Sequence, residues 1–327
     1  MTALSVLDLM MIGEGKTFTD TLDDAVALAR HVEAHGYKRY WVAEHHDLPG
    51  IASSATTLLI QHLAAATSSL RVGSGGIMLP NHAPLMVAEQ FGTLATLFPG
   101  RIDLGIGRAP GSAGAAIRAL RGDASERDFT QDIQHLQDYL ADNGHQPVRA
   151  IPGAHDVPLW LLGSSMNSAD LAAKLGLPYA FASHFAPRFL MDAITHYRTS
   201  FRPSATLKQP YVIAGVNVFA APSRAEADYI ASSHRQWVCN LYTGKAGPLP
   251  RPSEGFMDKL SNSDRHTLNQ AMLCTSTGDQ DDVSSWLRQF ITTTQVDEVI
   301  IDARIYDAKA RCRSYQLIAE SLADVMT

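Results

Sequence analysis

The sequence has few cysteines and no pattern that would join them. Three occur in 327 residues, at Cys239, Cys274 and Cys312, and none belongs to a C-x-x-C motif. A disulfide framework or a cysteine-ligated zinc site needs paired or closely spaced cysteines. We therefore expect three unpaired thiols in a reducing compartment.

The chain also lacks a block of basic residues and a long hydrophobic run. It has 27 Lys and Arg against 33 Asp and Glu, which gives a formal net charge of -6 at pH 7. Nucleic-acid and anionic-membrane surfaces need a basic patch, so both kinds of partner are disfavoured. The first apolar stretch is too short to span a membrane and has no basic leader, which predicts a buried strand and a cytoplasmic protein.

What the sequence does have is a repeated alternation of short apolar runs and helical periods. Eight strands are predicted, each accompanied by a helix; they cover residues 4–10, 39–43, 71–79, 102–107, 158–162, 179–182, 211–220 and 298–302. In the first helix, Thr21 and Asp24 have the spacing of a capping box. The pattern predicts an α/β fold, a closed (β/α)8 TIM barrel. No Gly-rich phosphate-binding turn follows the first strand, which disfavours an open doubly wound sheet.

One segment interrupts the alternation between the seventh and eighth strands. Residues Tyr242–Asp264 are rich in Pro, Gly, Ser and Lys. Loops of this length are usually functional lids or disordered segments. We expect a mobile lid inserted in a single barrel domain of residues 1–327, with a passive surface insertion as the alternative.

Polar residues and glycines gather where the predicted strands end, which is where TIM barrels place their active sites. The candidate site residues are, in strand order, Glu44, His45 and His46, then Ser74, Gly75 and Gly76, then Arg108, and finally Ser164, Ser165 and Ser168. Their coincidence at one end of several strands is a stronger signal than any single motif.

Glu44-His45-His46 is a concentrated acid–base set with three interpretations. Histidine titrates near neutral pH and glutamate can orient it, which favours general acid–base catalysis. A packing role is the second interpretation. Metal binding is the third and weakest, because adjacent strand residues point to opposite faces and no further ligand motif completes a set.

The other candidates suit a phosphorylated ligand. Glycine weakens strands, so Gly75 and Gly76 indicate either close backbone approach to a ligand or a bulge at the barrel rim. Arg108 has the charge and the geometry for a phosphate, with a rim ion pair as the alternative. The serines 164, 165 and 168 open a helix, where free N–H groups bind anions, although ordinary N-capping also explains them.

Three long motifs, together with two shorter ones, resemble the luciferase-like flavin monooxygenases, in particular the branch encoded by single genes. They are Ala43-Glu44-His45-His46, the segment Ser74–Leu85 (SGGIMLPNHAPL), the segment Gly100–Ser112 (GRIDLGIGRAPGS), Leu161–Ser165 (LLGSS) and Gly176–Phe185 (GLPYAFASHF). The resemblance covers nearly the whole chain, in order.

This resemblance implies a barrel that binds reduced FMN at its C-terminal mouth. It implies a non-proline cis peptide within Ser74-Gly75-Gly76, beneath the flavin ring, and phosphate contacts from Arg108, Ser164, Ser165 and Ser168. It also implies that His45 is the catalytic histidine, supported by Glu44 and His46. A homodimer is the assembly expected from such relatives.

The implied reaction uses FMNH2 from a separate NAD(P)H:flavin reductase. Reduced FMN reacts with O2 to give a C4a-peroxyflavin, which oxygenates a small organic substrate. Two departures from the family pattern stand out: Ala113 occupies a usually acidic position, and Gly107 replaces the reactive cysteine of light-emitting luciferase. Asn217, Phe219 and the segment 242–264 are expected to contact the substrate.

Three other functions remain open from the sequence. A relative on the same barrel could transfer hydride with a deazaflavin or a flavin, without oxygenation. A non-catalytic flavin-binding paralogue is the second, although the intact Glu44-His45-His46 set argues against loss of activity. A metal-dependent barrel hydrolase is the third and least favoured.

Overall fold

A closed parallel barrel forms the centre of the molecule. The computed structural model describes residues 2–109, 111, 114–121, 128–141, 147–153 and 156–323. Within them the strands are β1 (Ala3–Asp8), β2 (Arg39–Val42), β3 (Arg71–Met78), β4 (Ile102–Gly107), β5 (Leu159–Gly163), β6 (Tyr179–Phe181), β7 (Val212–Ala220), β8 (Thr275–Gly278) and β9 (Glu298–Asp302). All ladders between them are parallel, and the ring closes through β6–β7, β7–β9 and β9–β1. The predicted TIM barrel is confirmed, with β9 as its eighth strand.

One of the nine described strands, β8, lies outside the closed ring of eight. It pairs with the last four residues of β7, from Asn217↔Thr275 to Ala220↔Gly278. The same β7 pairs with β9 from Ile213 to Asn217. Since β7 bonds β9 low on the barrel and β8 at the rim, β8 extends the wall without interrupting the closure. The sequence analysis did not predict this strand.

The helices surround the ring. They are α1 (Phe18–Ala34), α2 (Thr56–Ala66), α3 (Pro84–Leu97), α4 (Gly114–Arg121), α5 (Phe129–Ala141), α6 (Met166–Leu175), α7 (Leu190–Ser200), α8 (Arg224–Tyr242), α9 (Asn262–Ala271), α10 (Gln280–Thr294) and α11 (Ala308–Ser321). The predicted cap of the first helix was wrong by one turn. The capping box is Thr17 with Asp20, and Thr21 lies inside the helix with its hydroxyl donating to the Thr17 carbonyl.

Side chains fill the barrel in layers, as the alternation of strand residues requires. At the bottom, buried Arg39 donates to Glu298 at 2.7 and 3.1 Å and to Asp103 at 2.7 Å. A middle layer of large residues lies above them and includes Trp41, Trp160 and Ile213. The same inner face of β7 continues upward to Gly215 and Asn217. The inner face of β7 therefore carries smaller residues at its top than in the middle layer.

The chain between α8 and α10, residues 243–279, forms what we call the insertion lobe. It holds a short 3-10 turn at Phe256–Lys259, the helix α9 and the strand β8. Leu268 of α9 and Trp237 of α8 belong to the same buried cluster as Leu7 and Trp41 inside the barrel. The lobe therefore packs across part of the mouth. Its helix and strand were not predicted.

The predicted lid segment, residues 242–264, makes specific contacts with the loops after β1 and β2. The backbone of Leu249 donates to Ile12 at 2.8 Å and accepts from Glu14 at 3.0 Å. Gly50 approaches Gly247 so closely that a Cβ at position 50 would lie 2.0 Å from its carbonyl oxygen. The segment is thus joined to the barrel at two points in this structure.

Two further points from the sequence concern membrane spanning and the residue at position 113. No helix among the described residues is both long and apolar enough to cross a membrane. Pro110 and Ser112 of the Gly100–Ser112 segment, and Ala113 after it, lie outside the described residues. The substitution at the usually acidic position 113 therefore has no structural account.

Candidate active site

Glu44 is the hub of a hydrogen-bond network beyond the end of β2. Its carboxylate is 1% exposed. It accepts hydrogen bonds from Nε2 of His46 at 2.9 Å and Nε2 of His82 at 2.9 Å. The side chain of Asn81 donates to it at 3.2 Å and the backbone N–H of Met78 at 2.9 Å. One buried charge is thereby surrounded by four donors.

These donors keep Glu44 ionised. Burial acts to raise the pKa of the carboxyl, but hydrogen bonds and charge from His82, with further hydrogen bonds from His46 and Met78, outweigh it and leave the pKa below its usual value. A buried carboxylate is stable only when its oxygens are satisfied in this way. Glu44 is therefore a fixed negative charge at the barrel mouth.

His45 has different partners from its two neighbours. Its Nδ1 lies 3.1 Å from the carbonyl oxygen of Gly111, and its backbone N–H donates to Ser53 at 3.1 Å. A carbonyl only accepts, so Nδ1 carries the proton and Nε2 has a free lone pair. Burial, with a contribution from the charge of Arg304, lowers the pKa of His45 despite the Gly111 bond. The imidazole is a neutral base at neutral pH.

The loop after β4 reaches over to hold these residues. Gly111 has a φ of +64°, and a Cβ on it would lie 2.7 Å from the backbone oxygen of Glu44. Only glycine fits both the backbone conformation and the space. The same carbonyl that binds His45 also accepts from the backbone N–H of His46 at 3.3 Å.

The strand β3 carries the cis peptide that the family resemblance implied, between Gly75 and Gly76. The two glycines are closely packed: a Cβ on Gly75 would lie 2.7 Å from Leu7, and one on Gly76 would lie 2.8 Å from the Gly105 carbonyl. The hydroxyl of Ser74 donates to the Gly105 carbonyl at 2.8 Å and accepts from its N–H at 3.0 Å. Ser74 thus bridges β3 and β4 where their register shifts.

Arg108 and the three serines lie at neighbouring strand ends. Ile106 pairs with Leu161, so Arg108 and Gly163 stand at equivalent heights. Arg108 is exposed. Ser165 is the N-cap of α6 and forms a capping box with Ser168, whose hydroxyl also bonds Tyr179 at 2.8 Å. The structure therefore confirms that Ser165 and Ser168 cap α6, whereas Ser164 has no capping role.

The opposite wall of the mouth contains a buried ion pair that sequence reasoning missed. Arg304 follows β9 and donates to one oxygen of Asp302 through Nε at 2.8 Å and Nη2 at 2.6 Å. Its guanidinium lies 4.4 Å from the ring centre of Trp237. The charge of Arg304 contributes to the lowered pKa of His45. The sequence feature that could have predicted this pair is the position of Arg304 just beyond the last barrel strand.

Two more residues were present in the quoted motifs but received no role from the sequence. Asn81 and His82 both bind Glu44, which lies 37 and 38 residues earlier in the chain. Their place after β3, next to the strand that bears Glu44, is the signal that predicts such a contact. The site is thus a four-residue network around one carboxylate, beside His45.

The insertion lobe contains a cavity of about 550 Å³. Tyr229 and Arg235 of α8, Phe256 and Met257 of the 3-10 turn, and Thr275 of β8 contribute to its lining. Thr275 also accepts a hydrogen bond from Asn217 at 3.2 Å. Asn217, expected to contact substrate, therefore connects the barrel wall to this cavity, whereas Phe219 packs against His234 at 5.2 Å.

Within the described parts of the chain, no three His, Cys, Asp or Glu side chains are grouped so that they could hold a metal ion. The histidines near Glu44 direct their Nε2 atoms to its carboxylate, which occupies them as hydrogen-bond donors.

The chain is similar in sequence and in fold to known monooxygenases. Residues 3–300 match the family model described as luciferase-like monooxygenase. A luciferase-like monooxygenase of Escherichia coli (strain K12) is 46% identical over 321 residues, which cover 96% of this chain and 95% of that protein. The N-acetyl-S-alkylcysteine monooxygenase of Bacillus subtilis (strain 168) is 32% identical over 334 residues and 98% of both chains. The crystal structure of apo-MsnO8 superposes with a TM-score of 0.88 at 34% identity, over 100% of both chains.

Proposed function

The chain belongs to the family of luciferase-like, flavin-dependent monooxygenases, and we propose that its flavin is FMN, bound in reduced form and supplied by a separate NAD(P)H:flavin reductase. The observation that carries the proposal is the pairing of a neutral His45 with the ionised Glu44 network at one mouth of the barrel, beside an exposed arginine and a helix N-terminus.

The residues present fit FMN. Arg108, the hydroxyl of Ser164 and the N-terminus of α6 together offer a cation, a donor and free N–H groups, which is a donor set that suits a phosphate. Gly75 and Gly76 let the backbone of β3 pack directly against Leu7 and the Gly105 carbonyl, and in the proposed complex the flavin ring would lie over this backbone. Ser165 and Ser168 act by forming the cap that fixes the helix start.

When bound, reduced FMN supplies the electrons with which O2 is activated. His45 would accept or return a proton through Nε2, because Nδ1 is fixed on the Gly111 carbonyl. Glu44 does not contact His45 through a side-chain hydrogen bond in this structure. Its role is to orient His46 and His82 and to hold the Met78 backbone, which continues directly from the Gly75–Gly76 segment.

We propose that the segment 242–264 is a lid. Its contacts at Leu249 and Gly247 with the loops after β1 and β2 support this role, since they tie it to the rim beside His45. A closed lid would exclude water from the reacting groups.

For the substrate we propose a small organic molecule, with N-acetyl-S-methylcysteine as the first compound to test. This choice rests on the full-length similarity to the N-acetyl-S-alkylcysteine monooxygenase. The reaction would take place in the cytoplasm, where a diffusing reductase can provide reduced FMN and the three free cysteines remain reduced.

The experiment supplies photoreduced FMN, O2 and N-acetyl-S-methylcysteine to the purified protein and measures the oxygenated product by mass spectrometry with 18O2. We expect one labelled oxygen atom per product molecule. His45→Ala should lower the product yield by about 10²- to 10⁴-fold, the usual contribution of a positioned proton donor or acceptor. His135→Ala, at an exposed histidine of α5, is the control and should leave the yield unchanged.

A deazaflavin-dependent hydride transfer would give a different result. Such an enzyme would reduce or oxidise a substrate with the deazaflavin in the absence of O2 and would incorporate no 18O. That outcome, or equal rates of FMNH2 oxidation with and without protein, would contradict the proposed function.

The phosphate contact has its own test. Arg108→Ala should weaken FMN binding at least tenfold and riboflavin binding less than twofold, because the two ligands differ only by the phosphate that the guanidinium would bind. Fluorescence titration of both flavins measures this. Arg118→Ala, in the neighbouring helix α4, is the matched loss of positive charge. Equal losses for FMN and riboflavin would show that Arg108 does not bind the phosphate.

A further inference from the structure

The ends of β6, β7 and β9 form an arc of the mouth that the proposed cofactor residues do not use. The cofactor candidates lie at the ends of β2 to β5. On the remaining arc, Gly215 and Asn217 lie on the inner face of β7, and Asp302 on that of β9. His184, three residues beyond β6, lies against this face.

Gly215 makes room for the imidazole of His184. A Cβ at position 215 would lie 2.3 Å from Nδ1 and 3.1 Å from Cε1 of that ring. Every other residue of β7 has a side chain, and glycine weakens a strand interior. The close approach of the ring gives a physical reason for the exception, so Gly215 is the position on which the His184 ring rests.

The rest of His184 is also fixed. The side-chain amide of Asn217 donates to its carbonyl oxygen at 2.9 Å and is itself held by Thr275. The Nδ1 atom is enclosed and has no hydrogen-bond partner, although the residue as a whole is only partly buried. An orphaned N–H is rarer in folded proteins than an orphaned acceptor. The proton therefore belongs on Nε2.

We propose that His184 contacts the organic substrate and donates a hydrogen bond from Nε2–H to an acceptor oxygen, a carbonyl or a carboxylate. Gly215 and Asn217 are its positioning residues. The proposal rests on the proposed function, because it assigns the cofactor to the arc from β2 to β5 and the substrate to the arc from β6 to β9.

The charges around the ring are consistent with a neutral donor. Burial lowers the pKa of His184 to about 4, with Asp302 acting to raise it and Arg304 to lower it. His234 lies in the same cluster, and burial likewise lowers its pKa, to about 3. With its pKa lowered in this way, the His184 ring is neutral at neutral pH and keeps a single N–H.

The test uses His184→Phe, which keeps a flat ring without nitrogens, and His184→Gln, whose amide nitrogen replaces Nε2. With N-acetyl-S-methylcysteine, which has an amide and a carboxylate oxygen, we expect His184→Phe to raise KM at least tenfold and to change kcat less than threefold. His184→Gln should restore KM to within about threefold of the wild type. The affinity for FMN should stay within twofold in both variants. His196→Phe, on α7, is the control.

A second readout needs no turnover. Long-range 1H–15N spectra of the apo-protein, with His184 identified by its loss in His184→Gln, should show a neutral ring protonated on Nε2 at pH 7. This measurement decides the proposal if the wild type does not oxygenate the probe, a result that counts against the proposed substrate alone. A ring that is charged or protonated on Nδ1 would overturn the proposal. So would an unchanged KM in His184→Phe, or a loss of FMN affinity as large as the rise in KM.

Discussion

At the scale of single residues, the two best-defined groups of the site are held in opposite protonation states. Glu44 is kept ionised by donors from β3 and its following loop, and His45 is kept neutral by burial and by the charge of Arg304. A base and a fixed charge are thus available side by side without exchanging a proton, since their hydrogen bonds go to different partners. The separation of the roles follows from Gly111, whose carbonyl binds His45 and leaves Glu44 to other donors.

His234 gives a pH dependence of stability that belongs to one residue. Its folded pKa is about 3 and its unfolded value is 6.5. Between these values the unfolded chain binds a proton that the folded protein does not, so the stabilisation is complete above pH 6.5 and is lost as the pH falls towards 3. At pH 5 the free energy of unfolding that has been lost through this residue is about 2 kcal/mol, as an upper bound. Urea unfolding at pH 7 and pH 5 should show a smaller loss for His234→Leu than for the wild type.

The control for this measurement is His135→Leu, which removes an exposed histidine of α5 and should keep the wild-type pH dependence. If His234→Leu and the wild type lose the same free energy of unfolding between the two pH values, the burial of a neutral His234 is not the cause.

Position at a strand end explains which site residues could be predicted from the sequence. His45 and Arg108 stand at strand ends, and a barrel brings strand ends together, so their position at one mouth was predictable. The bonds from His82 to Glu44 and the contact of Gly215 with His184 depend on side-chain directions that strand order does not give. Ser74 shows the same limit, because its hydroxyl binds Gly105, whereas the sequence showed only that a polar residue preceded two glycines.

At the scale of secondary-structure elements, strongly apolar segments were predicted closely and polar ones were missed. The bounds of β4 agree with the predicted 102–107. By contrast, α9 has a single buried residue, Leu268, and β8 reads Thr-Ser-Thr-Gly. Neither element has a hydrophobic period. The helix α9 is stabilised by packing on the barrel rim, and β8 is stabilised by pairing with β7. The cap of α1 was misplaced because Thr17 and Thr21 offer the same spacing to an aspartate.

The contact between the loop after β2 and the insertion lobe can be tested at one atom. Gly50→Ala would place a methyl 2.0 Å from the Gly247 carbonyl, a backbone atom that cannot move alone. We expect the lobe to detach locally and trypsin to cleave after Lys245 at least tenfold faster, while the barrel keeps its circular dichroism spectrum. Such overpacking typically costs about 1–3 kcal/mol.

The matched control is Gly247→Ala, on the other side of the same contact. There the nearest atom to a new Cβ is 3.9 Å away, so cleavage should stay at the wild-type rate. Equal cleavage of Gly50→Ala and the wild type would mean that the two loops do not depend on each other.

At the scale of the whole molecule, we propose that the chain assembles as a homodimer through α2 and α3. These neighbouring helices expose Leu58, Met86 and Leu97, at 69%, 57% and 56% of their surface. Exposed apolar side chains on adjacent helices are typical of protein interfaces. Leu58→Glu should convert a dimer into a monomer in analytical ultracentrifugation, because it would bury a charge in the interface.

Leu273→Glu is the control, since Leu273 is also exposed, at 54%, but lies in the insertion lobe. It should leave the sedimentation coefficient of the wild type unchanged. Monomeric wild-type protein at micromolar concentration would rule out the assembly, and loss of the dimer in Leu273→Glu would place the interface elsewhere.

The position of β8 outside the closed ring has a consequence for how this enzyme can diversify. Every ladder of the ring, including β7–β9, is complete without residues 243–279. That stretch is a cassette: it can be exchanged for the corresponding stretch of a relative while the hydrogen bonds of the barrel stay the same. The cassette contributes Phe256, Met257 and Thr275 to a cavity that α8 also lines, and it contacts the barrel rim through Leu249, so a swap would alter the cavity and the contacts at the rim. Chimeras made at these two junctions are therefore a route to new substrate ranges on an unchanged oxygenating core.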